Sequence, residues 1–129
     1  DVVRSGVAIA DGTAVVGSND NSVYGIDIAD GTELWSYATG GDVRSGVAIA
    51  DGTAVVGSFD NSVYGIDIAD GTELWSYATG DVVRSGVAIA DGTAVVGSND
   101  NSVYGLQQLT ELLYQPARLS DGTSWRKPT

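Results

Sequence analysis

"YGIDIADGTELWSYATG" at residues 24–40 returns letter for letter at residues 64–80, and its reading decides the fold. Tyr24, Ile26 and Ile28 alternate with Gly25 and Asp27, the period of two that a strand requires. Asp30-Gly31 then punctuates the run, and "TELWSYA" at 32–38 follows with Trp35 and Tyr37 on one face. Working outward toward the N-terminus, "SGVAIA" (5–10), "TAVVGS" (13–18) and "SVYGIDI" (22–28) are also strand-sized and rich in β-branched and aromatic residues. Asp11-Gly12 and Asp30-Gly31 are pairs that two-residue turns favour, because both central positions there need positive φ. Asn19-Asp20-Asn21 supplies a polar turn between the second and third segments. Four strands in meander order are expected.

The unit repeats with a period of 40. Residues 1–40 and 41–80 differ only at Asp1/Gly41, Val2/Asp42 and Asn19/Phe59, and residues 81–105 repeat 1–25 without change. Copies this alike indicate a recently amplified or engineered array. "GVAIA" and "TAVV" are apolar or small on both faces, so each sheet needs a layer above and below, as neighbouring blades of a propeller provide. The expected fold is all-β: four-stranded antiparallel propeller blades, two complete (1–40 and 41–80) and a third beginning at 81–105. Residues 106–129 form a divergent tail. Leu106, Leu109, Leu112 and Leu113 recur at helical spacing, while "TELLY" (110–114) echoes "TELWSY" and "LSDGTSW" (119–125) echoes "IADGTAV". The tail is thus either a helix or an altered last strand, with the helix preferred. Pro116 and Pro128 would mark the helix end and a frayed terminus.

"YGIDIADGTELWSYATG" resembles the repeat of the quinoprotein (PQQ-like) family, Ala-x-Asp-x-x-Thr-Gly-x-x-x-Trp. Gly25, Asp27, Asp30, Gly31 and Trp35 occupy the matching places, with Gly25 where the family often has Ala and Asp-Gly where it has Thr-Gly. The WD repeat is excluded because its Gly-His signature needs a histidine, and kelch units are longer. The resemblance implies that the outermost strand carries Trp35 or Trp75, with Tyr37 or Tyr77, to dock each blade on its neighbour, and that the first strand lines the axis. It also implies pyrroloquinoline quinone and calcium on the axis, beside a vicinal cysteine pair, in the family's dehydrogenases. This chain has no cysteine and near-identical blades, so no cofactor and no catalytic residues are expected and the chain is read as not an enzyme.

Composition narrows the function classes further. With 17 Asp+Glu against 6 Lys+Arg and a net charge of -11, the chain repels polyanions, so neither nucleic acid nor an anionic membrane surface is an expected partner. Cysteine and histidine are both absent, removing disulfides, thiolate metal sites and the commonest general base. Asn19, Asp20, Asn21 and Asp27 lack the spacing of a calcium loop, and turn chemistry accounts for the first three. Apolar runs end well short of the roughly 18 residues that a membrane helix needs. No leader pattern opens the chain, so it is expected to be soluble and, by family resemblance, extracytoplasmic. With no methionine anywhere, residue 1 reads as the start of a processed product, an excised fragment or an engineered chain.

Arg4, Arg44 and Arg84 are the sole cations of their units. With the turn residues Asn19, Phe59 and Asn99 they are expected at one end of the axis, either as a ring that attracts an anion or each paired with a loop carboxylate such as Asp1, Asp42 or Asp81. Phe59 is a contact residue or sequence noise, the second preferred. Three functions follow in order: a self-assembling propeller with no chemistry of its own, a module binding a small ligand or peptide on its axial face, and a piece of a quinoprotein dehydrogenase. Because two and a half blades leave apolar faces bare, the expected partner is the chain itself, with a dimer favoured.

The Asp-rich, Lys-poor balance matches proteins of salt-loving organisms. If it is such an adaptation, raising salt from about 0.1 M to 1 M shortens the screening length from roughly 10 Å to 3 Å, relieves self-repulsion and raises the melting temperature. Calorimetry across that range checks it, and a flat or falling melting temperature leaves solubility as the role of the charge.

Overall fold

A computed structural model of the chain describes residues 2–107 and the backbone of 116–119. The described residues form twelve strands in three four-stranded antiparallel sheets. The first sheet holds β1 (Val7–Ala10), β2 (Thr13–Gly17), β3 (Ser22–Asp27) and β4 (Glu33–Ala38) in chain order. The second holds β5 (Val47–Ala50), β6 (Thr53–Gly57), β7 (Ser62–Asp67) and β8 (Glu73–Ala78), again in order. The third holds β9 (Val87–Ala90), β10 (Thr93–Ser98), β11 (Ser102–Gln107) and β12 (Pro116–Leu119). Each sheet is a propeller blade, and the fold class expected from the repeats is the one observed. No helix among the described residues is long and apolar enough to cross a membrane.

Two turn types divide the labour inside a blade. At Asp11-Gly12 both residues take positive φ, 52° and 76°, so a two-residue turn joins Ala10 to Thr13. Asp30-Gly31 does not make the second such turn: only Gly31 is positive, at 78°. The β3–β4 link is longer because the pairing slips by one residue between Gly25 and Ile26. Asp27 closes it, donating its N–H to Thr32 O at 2.8 Å and accepting Gly31 N–H at 2.8 Å, while its carboxylate accepts Ala29 N–H at 2.8 Å.

The tail departs from the preferred helix. Leu106 is a fully buried residue of β11, paired opposite Pro116 of β12. The third blade therefore closes with an altered last strand at Pro116–Leu119, while the echo at 110–114 lies outside the described residues. Without that strand the outer edge of β11 would leave its backbone groups unpaired, and a proline is tolerated at the first position of an edge strand. Residues 108–115, which hold the other leucines, and 120–129, which include Pro128, lie outside the described residues.

Blades stack through two apolar clusters. Val15, Val23 and Trp35 of the first blade pack on Ala54, Val56, Ile66 and Ile68 of the second. Val55, Val63 and Trp75 of the second pack likewise on Ala94, Val96, Tyr104 and Leu106 of the third. The Trp35 indole is the wedge. Its Nε1–H donates 2.8 Å to the carbonyl of Ile68, so the polar edge of the ring is satisfied inside the joint. A Cβ on Gly25, behind the ring, would lie 2.2 Å from it, and one on Gly71, in the next blade, 2.7 Å. The indole thus occupies the volume that two absent side chains leave free. At the other end of the blades the inner strands converge: Gly6 N–H donates to Ser45 O at 3.2 Å and Gly46 N–H to Ser85 O at 3.1 Å.

Gly31 and Gly71 form a matched pair for testing the wedge. Both have φ near 79°, but nothing lies within 4 Å of a Cβ added at Gly31. The backbone penalty of alanine is common to both sites, and overpacking arises only at Gly71. Gly71→Ala is expected to destabilise the protein by about 1–3 kcal/mol more than Gly31→Ala in chemical denaturation. Equal losses would mean that Trp35 does not fill this joint.

Candidate functional site

The residues that differ between units meet at one end of the blade stack. In the segment leading to β5, Val43 and Ser45 are fully buried and the residue between them, Arg44, faces the opposite way, as an extended chain dictates. Ser45 Oγ accepts Gly57 N–H at 2.7 Å, anchoring the segment on its own blade. The β2–β3 turn is held by Ser18, whose N–H donates to Ser22 O at 3.0 Å and whose Oγ accepts Asp20 N–H at 3.2 Å. Asn21 takes φ 74°, and residue 19 is carried to the tip.

Backbone bonds then thread each turn between two arginine segments. Asn19 N–H donates to Val2 O at 2.8 Å, Phe59 N–H to Asp42 O at 2.8 Å, and Asn99 N–H to Val82 O at 2.9 Å, each to the arginine segment of its own unit. Val43 N–H donates to Ser18 O and Val83 N–H to Ser58 O, both at 3.2 Å, tying the next unit's segment to the same turn. The resulting order along this end is Arg4, Asn19, Arg44, Phe59, Arg84, Asn99. The structure therefore brings the six residues to one face of the stack, each turn residue lying between its own arginine segment and the next where a next unit follows.

The centre of this row is the most structured part. The guanidinium carbon of Arg44 lies 4.8 Å from the Phe59 ring centroid and that of Arg84 5.1 Å, so one ring carries two cations from adjacent blades. Arg44 Nη2 also donates 2.9 Å to Asp42, the pairing that a loop carboxylate was expected to make. Asp81 does something else: its carboxylate accepts Val82 N–H at 2.7 Å. Arg44 Nε and Asn19 Oδ1 are buried without a hydrogen-bond partner. Reading the chain as text, Phe59 looked like noise because its partners lie one unit apart, Arg44 before it and Arg84 after. The usable signal is that two of the three variable positions, 41 and 42, lie within three residues of the unit's only cation. No group of acidic side chains suited to a metal occurs among the described residues.

The docking residues lie further out along the blades. Trp35 and Trp75 are buried on the outer strands, and Tyr37 and Tyr77 follow two residues later on the same face. Tyr37 tilts against Tyr64 of the next blade with centroids 5.6 Å apart, and Tyr77 against Tyr104 at the same distance. The Tyr37 hydroxyl donates to Glu73 and the Tyr64 hydroxyl to Asp60, whose carboxylate also accepts Gly40 N–H from the first blade at 2.9 Å. Burial first, then the Glu73 carboxylate, pushes the Tyr37 phenol from its usual value near 10 up to about 12. Burial and Asp60 raise Tyr64 in the same way.

Four-stranded antiparallel blades, stacked through outer-strand tryptophans with their inner strands converging, define a β-propeller of the PQQ-like repeat class. The chain belongs to the family described as outer membrane protein assembly factor BamB, which matches residues 1–111. Among solved structures it is similar to the computationally designed Ika4 protein, with TM-score 0.81 and 23% identity over 95% of this chain and 74% of that one. BamB from Moraxella catarrhalis matches with TM-score 0.75 and 23% identity, over 91% of this chain and 38% of that one. The computationally designed Ika8 protein matches with TM-score 0.70 and 23% identity, over 78% of this chain and 32% of that one. The chain thus spans about a third of the length of Ika8 and of BamB. No curated protein matches the chain significantly.

The tyrosine joint predicts an alkaline limit to stability. Below pH 10 neither folded nor unfolded chain ionises Tyr37, and its stabilising contribution is complete. Between 10 and about 12 the unfolded chain releases the proton that the folded chain retains, so the unfolding free energy falls as pH rises. Denaturation measured from pH 9 to 12 should show this decline, with a shallower slope in Tyr37→Phe. An unchanged slope in that variant would remove Tyr37 as its source.

Proposed function

We propose that the chain is a non-enzymatic repeat protein whose work is to assemble with itself into a closed β-propeller, most simply as a dimer of two three-bladed chains. The observation that carries this reading is the mismatch between inner and end blades of one sequence. Val43 and Ile68 are 0% and 5% exposed inside the stack, whereas their first-blade counterparts Val3 and Ile28 are 57% and 54% exposed. At the other end Val95 and Val103 are each 40% exposed, although their second-blade counterparts Val55 and Val63 are wholly buried. The bare first-blade face is the half that receives the earlier blade in each internal joint, and the third-blade face offers the valines of the other half. A second copy fits both, head to tail, and such a contact forms a ring when its rotation closes.

The inner strands support the same joint. Gly6 and Gly46 each bond to the following blade, while a Cβ on Gly86 would meet nothing within 4 Å. Its place in the ladder is filled by Ser5 of a second copy. An extracytoplasmic location accords with the family. A ligand-binding role for the axial end is favoured by the two cations gathered on Phe59, and is compatible with assembly.

Sedimentation equilibrium at micromolar concentration should return twice the 13.2 kDa chain mass. Ile28→Asp, placed on the bare face, should return the monomer with its β-sheet circular dichroism intact. A compact, folded wild-type monomer would overturn the closed ring.

A further inference from the structure

We propose that Arg44, Phe59 and Arg84 form a binding site for an organic monocarboxylate, built at the one place where the second unit departs from the other two. The site lies between blades of a single chain and does not depend on ring closure. Everywhere else the second unit copies the first, but here three changes fall together: Asp to Gly at 41, Val to Asp at 42 and Asn to Phe at 59. Their effects are complementary. The acid moves one residue along the loop, to where it reaches Arg44 Nη2 at 2.9 Å and fixes that guanidinium. A Cβ at residue 41 would lie 2.8 Å from Asp60 N and 3.2 Å from Phe59 Cβ, so Gly41 lets the loop close onto the turn. Phe59 then holds both guanidinium groups through its ring, which consumes none of their N–H donors.

What remains is a set of donors without acceptors. Arg44 Nε is buried and unpaired, a state that carries a desolvation cost until an acceptor arrives. Among the described residues no carboxylate bonds Arg84: Val82 stands where the second unit has Asp42, and Asp81 is engaged with the Val82 amide. Asp60 is likewise committed, to Gly40, Ser62 and Tyr64. Asn19 Oδ1, one turn earlier on the same row, is an unpaired acceptor and takes no part in holding a carboxylate. A guanidinium fork matches the planar, singly charged carboxylate, and a net charge of -11 disfavours multiply charged anions such as phosphates. The Phe59 ring supplies apolar surface for the organic body of the ligand. Asn19 and Asn99, in the same position as Phe59, offer no such surface.

The test titrates the full chain with sodium benzoate in about 0.1 M NaCl and follows backbone amide and arginine Nε–H resonances by NMR. Saturable shifts are expected at Arg44, Arg84 and the Phe59 turn, with Arg84→Gln weakening the affinity about tenfold, the loss of one charge-assisted pair. The triple variant Gly41→Asp, Asp42→Val, Phe59→Asn gives unit 2 the sequence of unit 1, so its fold is retained, and it should lose the site. Comparing benzoate with a tripeptide bearing a free or an amidated C-terminus identifies the carboxylate's source as a small molecule or a chain end. Non-saturating shifts, equal shifts with inorganic phosphate at matched ionic strength, or unaltered binding by the triple variant would each overturn the proposal.

Discussion

One indole, set across the joint between two sheets, carries much of this architecture. A lone four-stranded blade of this composition is apolar on both faces and cannot stay in water by itself. Trp35 resolves that by lying against Gly25 of its own blade and Gly71 of the next, and by giving its N–H to Ile68. The contact fixes spacing and orientation together, because the ring fits only where two glycines leave room. The inner strands then converge at Gly6 and Gly46, and the turns fall into a single row at one end. The geometry of that end is therefore a consequence of packing some way off, along the outer strands.

Much of this was legible as text. The period of two in "SVYGIDI", the Asp-Gly pair at 11–12 and the recurrence of Trp35 at Trp75 each state a local preference that the fold satisfies without conflict. Legibility ended where a long-range contact overrode a local pattern. Asp30-Gly31 reads like Asp11-Gly12, yet a slip in pairing at Gly25 changes how many residues the link must span. Leu106 belongs to a helical series on paper, but its burial among Trp75, Ala94 and Val96 makes it a strand residue. The cluster around Phe59 was hidden for a related reason. Its chemistry depends on two arginines a whole unit apart, and only stacking of the blades brings them to one ring.

The two ends of the array are unequal. Each internal joint contains a tryptophan from the outer strand of the earlier blade, whereas the last outer strand reads Pro116–Leu119. Among the described residues, the large apolar side chains that this end leaves exposed are Val95 and Val103.

Near-identity of the units has a kinetic side as well. A folding chain in which β3 can pair with β4 or with its duplicate β8 at the same local energy has no local way to tell native from exchanged pairing. Chain connectivity favours the nearer partner, since closing a longer loop costs additional entropy, but only weakly. Exchange between two copies in a crowded solution faces no sequence barrier at all. Between the first two units, the places that break this degeneracy are Gly41, Asp42 and Phe59. Because the Gly41 loop, the Asp42 side chain and the Phe59 ring fit one another, the trio marks the middle unit as different from its neighbours. It serves as an address label between two otherwise identical units.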